Sequence, residues 1–240
     1  MLILFDVDAT LITTSRTGIA AMGDAGRSLF GPQFDENRVQ YAGRLDPLII
    51  ADLLAVHGQD ASTAAIEAFR RAYRDHLERL LSSRPGVARP CPGVRTLLER
   101  LRAARADTAG IAPALGLLTG NFPETGSIKL RAAGLDPGLF QVQVWGCDSP
   151  HSPPARDHLP PVAMERYRRC IGGALSPRQV VIVGDTPHDV ACARAHGCRS
   201  LGVATGSYSV AQLRDAGADL TLTDLSATED VVQWLIKTSP

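Results

Sequence analysis

The chain has 240 residues, enough for one sizeable hydrophobic core or a core with a small second domain. Hydrophobic residues make up 45% and charged residues 21%, with 25 basic residues against 25 acidic ones. That balance leaves no net field to favour nucleic acid or an anionic membrane as an obligatory partner. Five scattered cysteines without a C-x-x-C pair fit reduced thiols in a cytoplasmic protein rather than a disulfide frame or a zinc site. The N-terminus meets Asp6 after five residues and has no basic n-region, so no signal peptide is expected. No apolar run approaches the ~20 residues of a membrane span.

In chain order, Leu2 to Val7 reads as a strand buried on both faces, the continuous apolar type of parallel sheets. Residues 15 to 84 then read as helical, with Gly18 to Phe30, Asp46 to His57 and Ala61 to Leu81 the clearest segments and no strand among them. Arg84-Pro85-Gly86 and Arg89-Pro90-Cys91-Pro92-Gly93 mark the return to an alternating pattern. From there the strands are Ala114 to Leu118, Val142 to Trp145, Gln179 to Val183, Arg199 to Val203 and a short Asp219 to Leu222. The helices between and after them are Gly93 to Arg105, Pro123 to Ala133, Pro161 to Gly172, Pro187 to His196, Val210 to Ala216 and Ala227 to Lys237. Several open with Pro or an acidic residue and close near Gly, as helix ends do. Ser149 to Pro161 is a Pro-rich loop. Alternating strand and helix predicts an α/β fold, a Rossmann-like parallel sheet with helices on both faces. The core spans residues 1–14 and 87–240, and an all-helical insertion spans 15–86.

Four elements at strand ends carry chemistry, because open α/β sheets place their sites there. Asp6 and Asp8 flank Val7 where the first strand ends, and in extended chain their side chains point the same way. Like charges that close require a cation or a shared proton, which makes the pair candidates for a metal-assisted nucleophile and a neighbouring general acid/base. Leu118-Thr119-Gly120-Asn121 leads into a helix, where main-chain N–H groups and the Thr119 hydroxyl can take a phosphate oxygen. Lys129 lies about two turns further on. It is one of two lysines, with Lys237, among 23 arginines, and its point charge can reach the same phosphate and hold the Asp6 carboxylate. Val183-Gly184-Asp185-Thr186-Pro187-His188-Asp189 forms an acidic strand-to-helix loop. Asp185 and Asp189 either face the Asp6/Asp8 strand end, where carboxylate oxygens and waters suit Mg²⁺, or simply cap the helix.

Together these four motifs resemble the haloacid dehalogenase superfamily of hydrolases over nearly the whole chain. The resemblance implies that Asp6 attacks phosphorus to form an aspartyl-phosphate, while Asp8 protonates the leaving oxygen and then activates water. It implies phosphate contacts from Thr119, Gly120, Asn121 and Lys129, and Mg²⁺ held by Asp6, the Asp8 carbonyl and Asp185, with Asp189 beside it. The insertion looks like the family's small cap, and Arg44, in Ala42-Gly43-Arg44-Leu45-Asp46, is a candidate for a substrate carboxylate or second anion, with Arg16 a weaker one. Two positions depart from the family pattern. Ala9 stands where Gly is usual, and Arg156-Asp157-His158 stands where a Lys-Pro is usual, which leaves Lys129 to supply the cation and Arg156 as the alternative source.

Asp8 argues against carbon dehalogenation, and the absence of lysine from residues 15–86 argues against Schiff-base phosphonate cleavage. The expectation is a phosphatase of the phosphoglycolate phosphatase-like kind acting on a small phosphorylated metabolite, as a monomer or homodimer. A phosphosugar mutase and a non-catalytic phospho-ligand-binding protein are the alternatives.

Overall fold

The computed structural model describes residues 1–107 and 113–236. Strand β1 (Leu2–Phe5) is followed by a two-residue strand, β2 (Ile12–Thr13), and then by helices α1 (Thr17–Phe30), α2 (Asp46–Val56) and α3 (Thr63–Ser83). A second two-residue strand, β3 (Arg89–Pro90), pairs antiparallel with β2, so the helical insertion leaves and re-enters the chain at one point. Helix α4 (Val94–Asp107) leads to the alternating half. That half runs β4 (Ala114–Leu118), α5 (Pro123–Ala132), β5 (Val142–Val144), α6 (Leu159–Cys170), β6 (Val180–Gly184) and α7 (Pro187–Ala195). It ends with β7 (Arg199–Val203), α8 (Val210–Asp215), β8 (Leu220–Leu222) and α9 (Thr228–Ile236).

Six strands form one parallel sheet in the order β5-β4-β1-β6-β7-β8. Every residue of β1, β4, β6 and β7 is buried, which explains the unbroken apolar runs of β1, β4 and β6; β7 opens instead on the buried Arg199 and Ser200. The pleat splits those residues between two cores. Ile3, Phe5, Leu117 and Val183 face a cluster shared with α1, α3 and α5, whereas Leu2, Leu4, Leu118 and Ile182 face one shared with α6. In the insertion, Ser62 caps α3 by accepting from the Ala65 N–H, and Phe69, Tyr73, Leu77 and Leu81 form its buried stripe at four-residue spacing. No helix among the described residues is long and apolar enough to cross a membrane.

Differences from the sequence expectation sit at ends and in short pieces. Helix α6 begins at Leu159, two residues before Pro161, because both prolines fall in its first turn, where no N–H is needed. The first strand stops at Phe5, so Val7 to Leu11 form a turn rather than extended chain. The β2–β3 pair was not expected, since two residues carry no periodicity and β3 contains a proline. The last helix was expected to reach Lys237, which lies outside the described residues.

Leu4 is fully buried at the sheet centre, whereas Leu29 on α1 is 42% exposed. Leu4→Ala is expected to cost ~2–5 kcal/mol in denaturant unfolding, and Leu29→Ala less than about 0.5 kcal/mol. Equal costs would contradict the assigned packing.

Candidate active site

The order β4-β1-β6 brings three strand tips side by side, and from them come Thr119, Asp6 and Asp185. The Asp6 N–H still donates to the Val183 carbonyl at 2.9 Å, so that residue is fixed by the sheet. Beyond it the chain turns sharply. Leu11 and Ile12 N–H both donate to the Val7 carbonyl at 3.0 Å, and Ala9 N–H donates to the Ile12 carbonyl at 2.7 Å. Ala9 holds φ at 56°, left-handed backbone that costs a non-glycine residue ~1–2 kcal/mol. The turn accepts the methyl group there, and the Thr205 hydroxyl donates to the Ala9 carbonyl from above.

Carboxylate oxygens of Asp6, Asp185 and Asp189 lie within 4.8 Å of one another, and all three residues are buried. Asp189 is the third residue of α7. One of its oxygens accepts from the Thr186 N–H (3.1 Å) and hydroxyl (2.8 Å), closing a capping box. Its other oxygen takes Arg156 Nη2 at 2.5 Å, and the same nitrogen sits 3.2 Å from Asp6 Oδ1. Arg156 is buried and also reaches the carbonyls of Leu118 and Gly43. Asp185 has a single hydrogen bond among the described residues, from the Thr10 hydroxyl at 3.2 Å. Gly206 passes so close that a Cβ there would stand 1.9 Å from Asp185 Oδ2.

The electrostatics follow from this crowding. Burial pushes the Asp6 carboxyl up to about 6, with Arg156 opposing and Asp189 and Asp8 adding to the rise. Asp185 is pushed up to about 8, first by burial and then by Asp6 and Asp189. Burial pulls the Arg156 guanidinium down, but Asp189 and Asp6 outweigh it and raise it overall. One guanidinium therefore serves three buried carboxylates. An all-oxygen donor set short of positive charge fits a hard divalent cation.

Asp8 belongs to a different cluster. Its side chain is 43% exposed, and its Oδ2 receives Lys129 Nζ at 2.7 Å and Asn121 Nδ2 at 2.8 Å. Lys129 also donates to Asn121 Oδ1 at 2.7 Å, while Asn121 Nδ2 donates to the Thr119 hydroxyl oxygen at 2.8 Å. Burial alone would lower the Lys129 ammonium, yet Asp8, Tyr73 and Asp46 raise it overall.

The expectation that Lys129 holds Asp6 is therefore corrected: Lys129 holds Asp8, and Arg156 holds Asp6. The reason is topological. Helix α5 packs in the core on one sheet face, and the turn bearing Arg156 precedes α6, which packs in the core on the other. The two acids do not point the same way because Asp8 lies in the turn beyond β1. Arg44 lies at the cleft, but its guanidinium pairs with Asp52 at 2.6 Å and donates to the Gln40 carbonyl. Arg16 donates to Asn37 Oδ1 at 3.4 Å.

A cleft of about 550 Å³ separates the strand tips from the insertion, with Asp6, Asp8, Lys129 and Arg156 on one side and Arg16 and Tyr41 on the other. Thr186, Tyr73 and Asp46 join the site without having been expected. Only Thr186 carried a sequence signal, the Thr-x-x-Asp spacing of a capping box.

The HAD-hydrolase-like family model matches residues 159–228, a span that contains Asp185 and Asp189. A probable phosphatase, IndB, from Dickeya dadantii is 29% identical over 241 residues, covering 99% of this chain and 96% of that protein. A phosphoglycolate phosphatase from Chromobacterium violaceum is 27% identical, covering 96% of each. The crystal structure of CbbY from Rhodobacter sphaeroides in complex with phosphate superposes with a TM-score of 0.73 at 22% identity, over 94% of each chain. Over nearly its whole length the chain is thus similar to phosphatases, and within residues 159–228 to the haloacid dehalogenase-like hydrolases.

The raised Asp185 carboxyl gives a signed expectation for stability in chelator. An unfolded aspartate titrates near ~4, so between there and about 8 the folded chain holds more protons than the unfolded one. The Asp185 contribution is thus fully present below ~4 and is lost as pH rises through about 8. Asp185→Asn keeps an acceptor for Thr10, so it should flatten that decline and melt higher than wild type at pH ~8 in EDTA. A wild-type melting temperature that climbs across this range, with the variant below it, would contradict the assignment.

Proposed function

We propose that the chain is a Mg²⁺-dependent phosphomonoester hydrolase that works through an aspartyl-phosphate on Asp6 and acts on a small phosphorylated metabolite in the cytoplasm. One observation carries the reading: two carboxylates two residues apart are held by different cations, Asp6 by Arg156 and Asp8 by Lys129. A nucleophile must stay ionised and fixed, and a proton-transfer group must reach solvent and the leaving oxygen. The buried Asp6 and the partly exposed Asp8 suit those two tasks.

The chemistry then runs in two halves. An Asp6 oxygen attacks phosphorus, the bond from phosphorus to the ester oxygen breaks, and Asp8 gives its proton to that oxygen as it leaves. Asp8, now a carboxylate, takes a proton from water. The water oxygen attacks phosphorus, the bond to Asp6 breaks, and phosphate departs. Thr119, with its oxygen already accepting from Asn121, has its hydroxyl proton to donate to a phosphoryl oxygen, and Gly120 N–H offers a second donor. Arg156 orients Asp6, while Lys129 and Asn121 orient Asp8. Asp6, Asp185 and the Asp8 carbonyl would hold Mg²⁺ with Asp189 beside them, and when bound it offsets repulsion between carboxylate and phosphoryl oxygens.

Residues 15–86 act as the cap on a core of 1–14 and 87–240. The β2–β3 pair at their junction supports that division, since both connections pass through it. Hydrolysis is favoured over phosphosugar transfer because the cap contains no lysine for a second sugar phosphate. It is favoured over mere binding because the nucleophile and acid/base positions, Asp6 and Asp8, are both filled.

Turnover of an aryl phosphate should require Mg²⁺ and vanish in excess EDTA, and full activity in chelator would sink the proposal. Asp6→Asn should abolish covalent phosphorylation. Asp8→Asn should slow turnover by ~10²–10⁴-fold and leave phosphate trapped on Asp6, read by rapid quench and mass spectrometry. Label on another residue would overturn the assignment of the nucleophile.

A further inference from the structure

Helix α5 carries much of the Asp8 cluster, yet it begins without a cap of its own. Phe122 stands at its N-cap, an apolar residue with no side-chain acceptor, ahead of Pro123. An acceptor for the N–H of the N-cap residue itself, the reciprocal half of a capping box, comes from the insertion. Asp46, the first residue of α2, is buried, and its Oδ2 accepts from the Phe122 N–H at 3.2 Å and lies 3.5 Å from the Thr125 hydroxyl. A carboxylate there also complements the helix dipole. In return the Asp46 N–H donates to the Gly120 carbonyl at 2.7 Å. The main chains are in such close contact that a Cβ on Gly120 would stand 2.0 Å from the Arg44 carbonyl oxygen.

The turn held in this way is the one that holds Asp8. Asn121 bridges Thr119 Oγ1 and Asp8 Oδ2 through one amide nitrogen and takes Lys129 through its oxygen. Other insertion contacts fall on the same helix. Arg70 of α3 pairs with Glu124 at 2.5 and 2.8 Å, and its guanidinium lies 4.2 Å from the centre of the Phe122 ring. The hydrogen bonds of Asp46 go to Gly120, Phe122 and Thr125, and none goes to Asp6, Asp8 or the carboxylate cluster.

We infer that Asp46 is a positioning residue for hydrolysis: through the start of α5 it sets the Thr119–Asn121 turn, and through Asn121 and Lys129 it sets the Asp8 carboxyl against the leaving oxygen. The inference rests on the hydrolase reading above. It makes the acid step depend on the insertion, although every group that handles a proton belongs to the core. Asp46 matters most where leaving-group protonation matters most.

The test compares an alkyl phosphate, whose leaving group needs a proton, with an activated aryl phosphate that scarcely does. Asp46→Ala should lower kcat for the alkyl ester by roughly 5- to 10-fold, the scale of one lost helix cap, with a smaller loss for the aryl ester and KM little changed. Asp46→Asn keeps an oxygen for the Phe122 N–H and should restore most of the alkyl rate. Should the alanine chain fail to fold, Asp46→Leu, apolar and without an acceptor, should reproduce the selective loss. Equal losses on both esters, or Asp46→Asn as impaired as Asp46→Ala, would reduce Asp46 to a structural latch and overturn the inference. Wild-type turnover unaffected by Asp46→Ala overturns this inference alone. A wild-type chain inactive on both esters overturns the hydrolase reading, and this one with it.

Discussion

Three carboxylates crowded into a buried space at neighbouring strand tips are the constraint to which the rest of the molecule answers. Burial and the neighbouring acids push the Asp6 and Asp185 carboxyls up, so ionising them beside Asp189 calls for positive charge. Arg156 supplies one such charge and is itself buried to do so. Breaking one side of a buried pair of this kind typically costs ~3–5 kcal/mol, because the remaining charge is left unpaired. The oxygen-rich remainder is a cradle suited to a divalent cation.

The sheet makes this crowding possible and the two helix layers divide the response to it. Because β1 lies between β4 and β6, acids on β1 and β6 meet and the Thr119 turn stands beside them. The layer containing α6 delivers Arg156 to Asp6, and the layer containing α5 delivers Lys129 to Asp8. Two acids separated by one residue thus enter different electrostatic environments, the condition for giving them different tasks. The insertion faces the strand tips across the cleft and, through Asp46 and Arg70, adds a second grip on α5.

Much of this was legible in the amino-acid order. Strands buried on both faces show as unbroken apolar runs, so β4 fell where the pattern put it, and the acidic tips of β1 and β6 stood out against those runs. Arg156 was legible only as an alternative source of charge. It is one of 23 arginines in a Pro-rich loop, and its burial depends on how α6 docks. Extended chain through Asp8 would set Lys129 against Asp6; the short turn from Val7 to Leu11 that places it against Asp8 leaves no periodic trace. Asp46 reads as an ordinary acidic helix start. Its second role lies 76 residues away in sequence, at the Phe122 N–H, and no local pattern announces it.

Three buried carboxylates sharing one guanidinium form a donor set that suits a divalent cation. Titrating the chain with Mg²⁺ by calorimetry, in two buffers of different ionisation enthalpy, tests this most directly. With Asp185 raised to about 8, binding near pH 7.5 should saturate at one site and release a proton, so the apparent enthalpy should differ between the buffers. Asp185→Asn should bind far more weakly and release none. No saturable binding by the wild-type chain, or equal binding by the variant, would contradict the account.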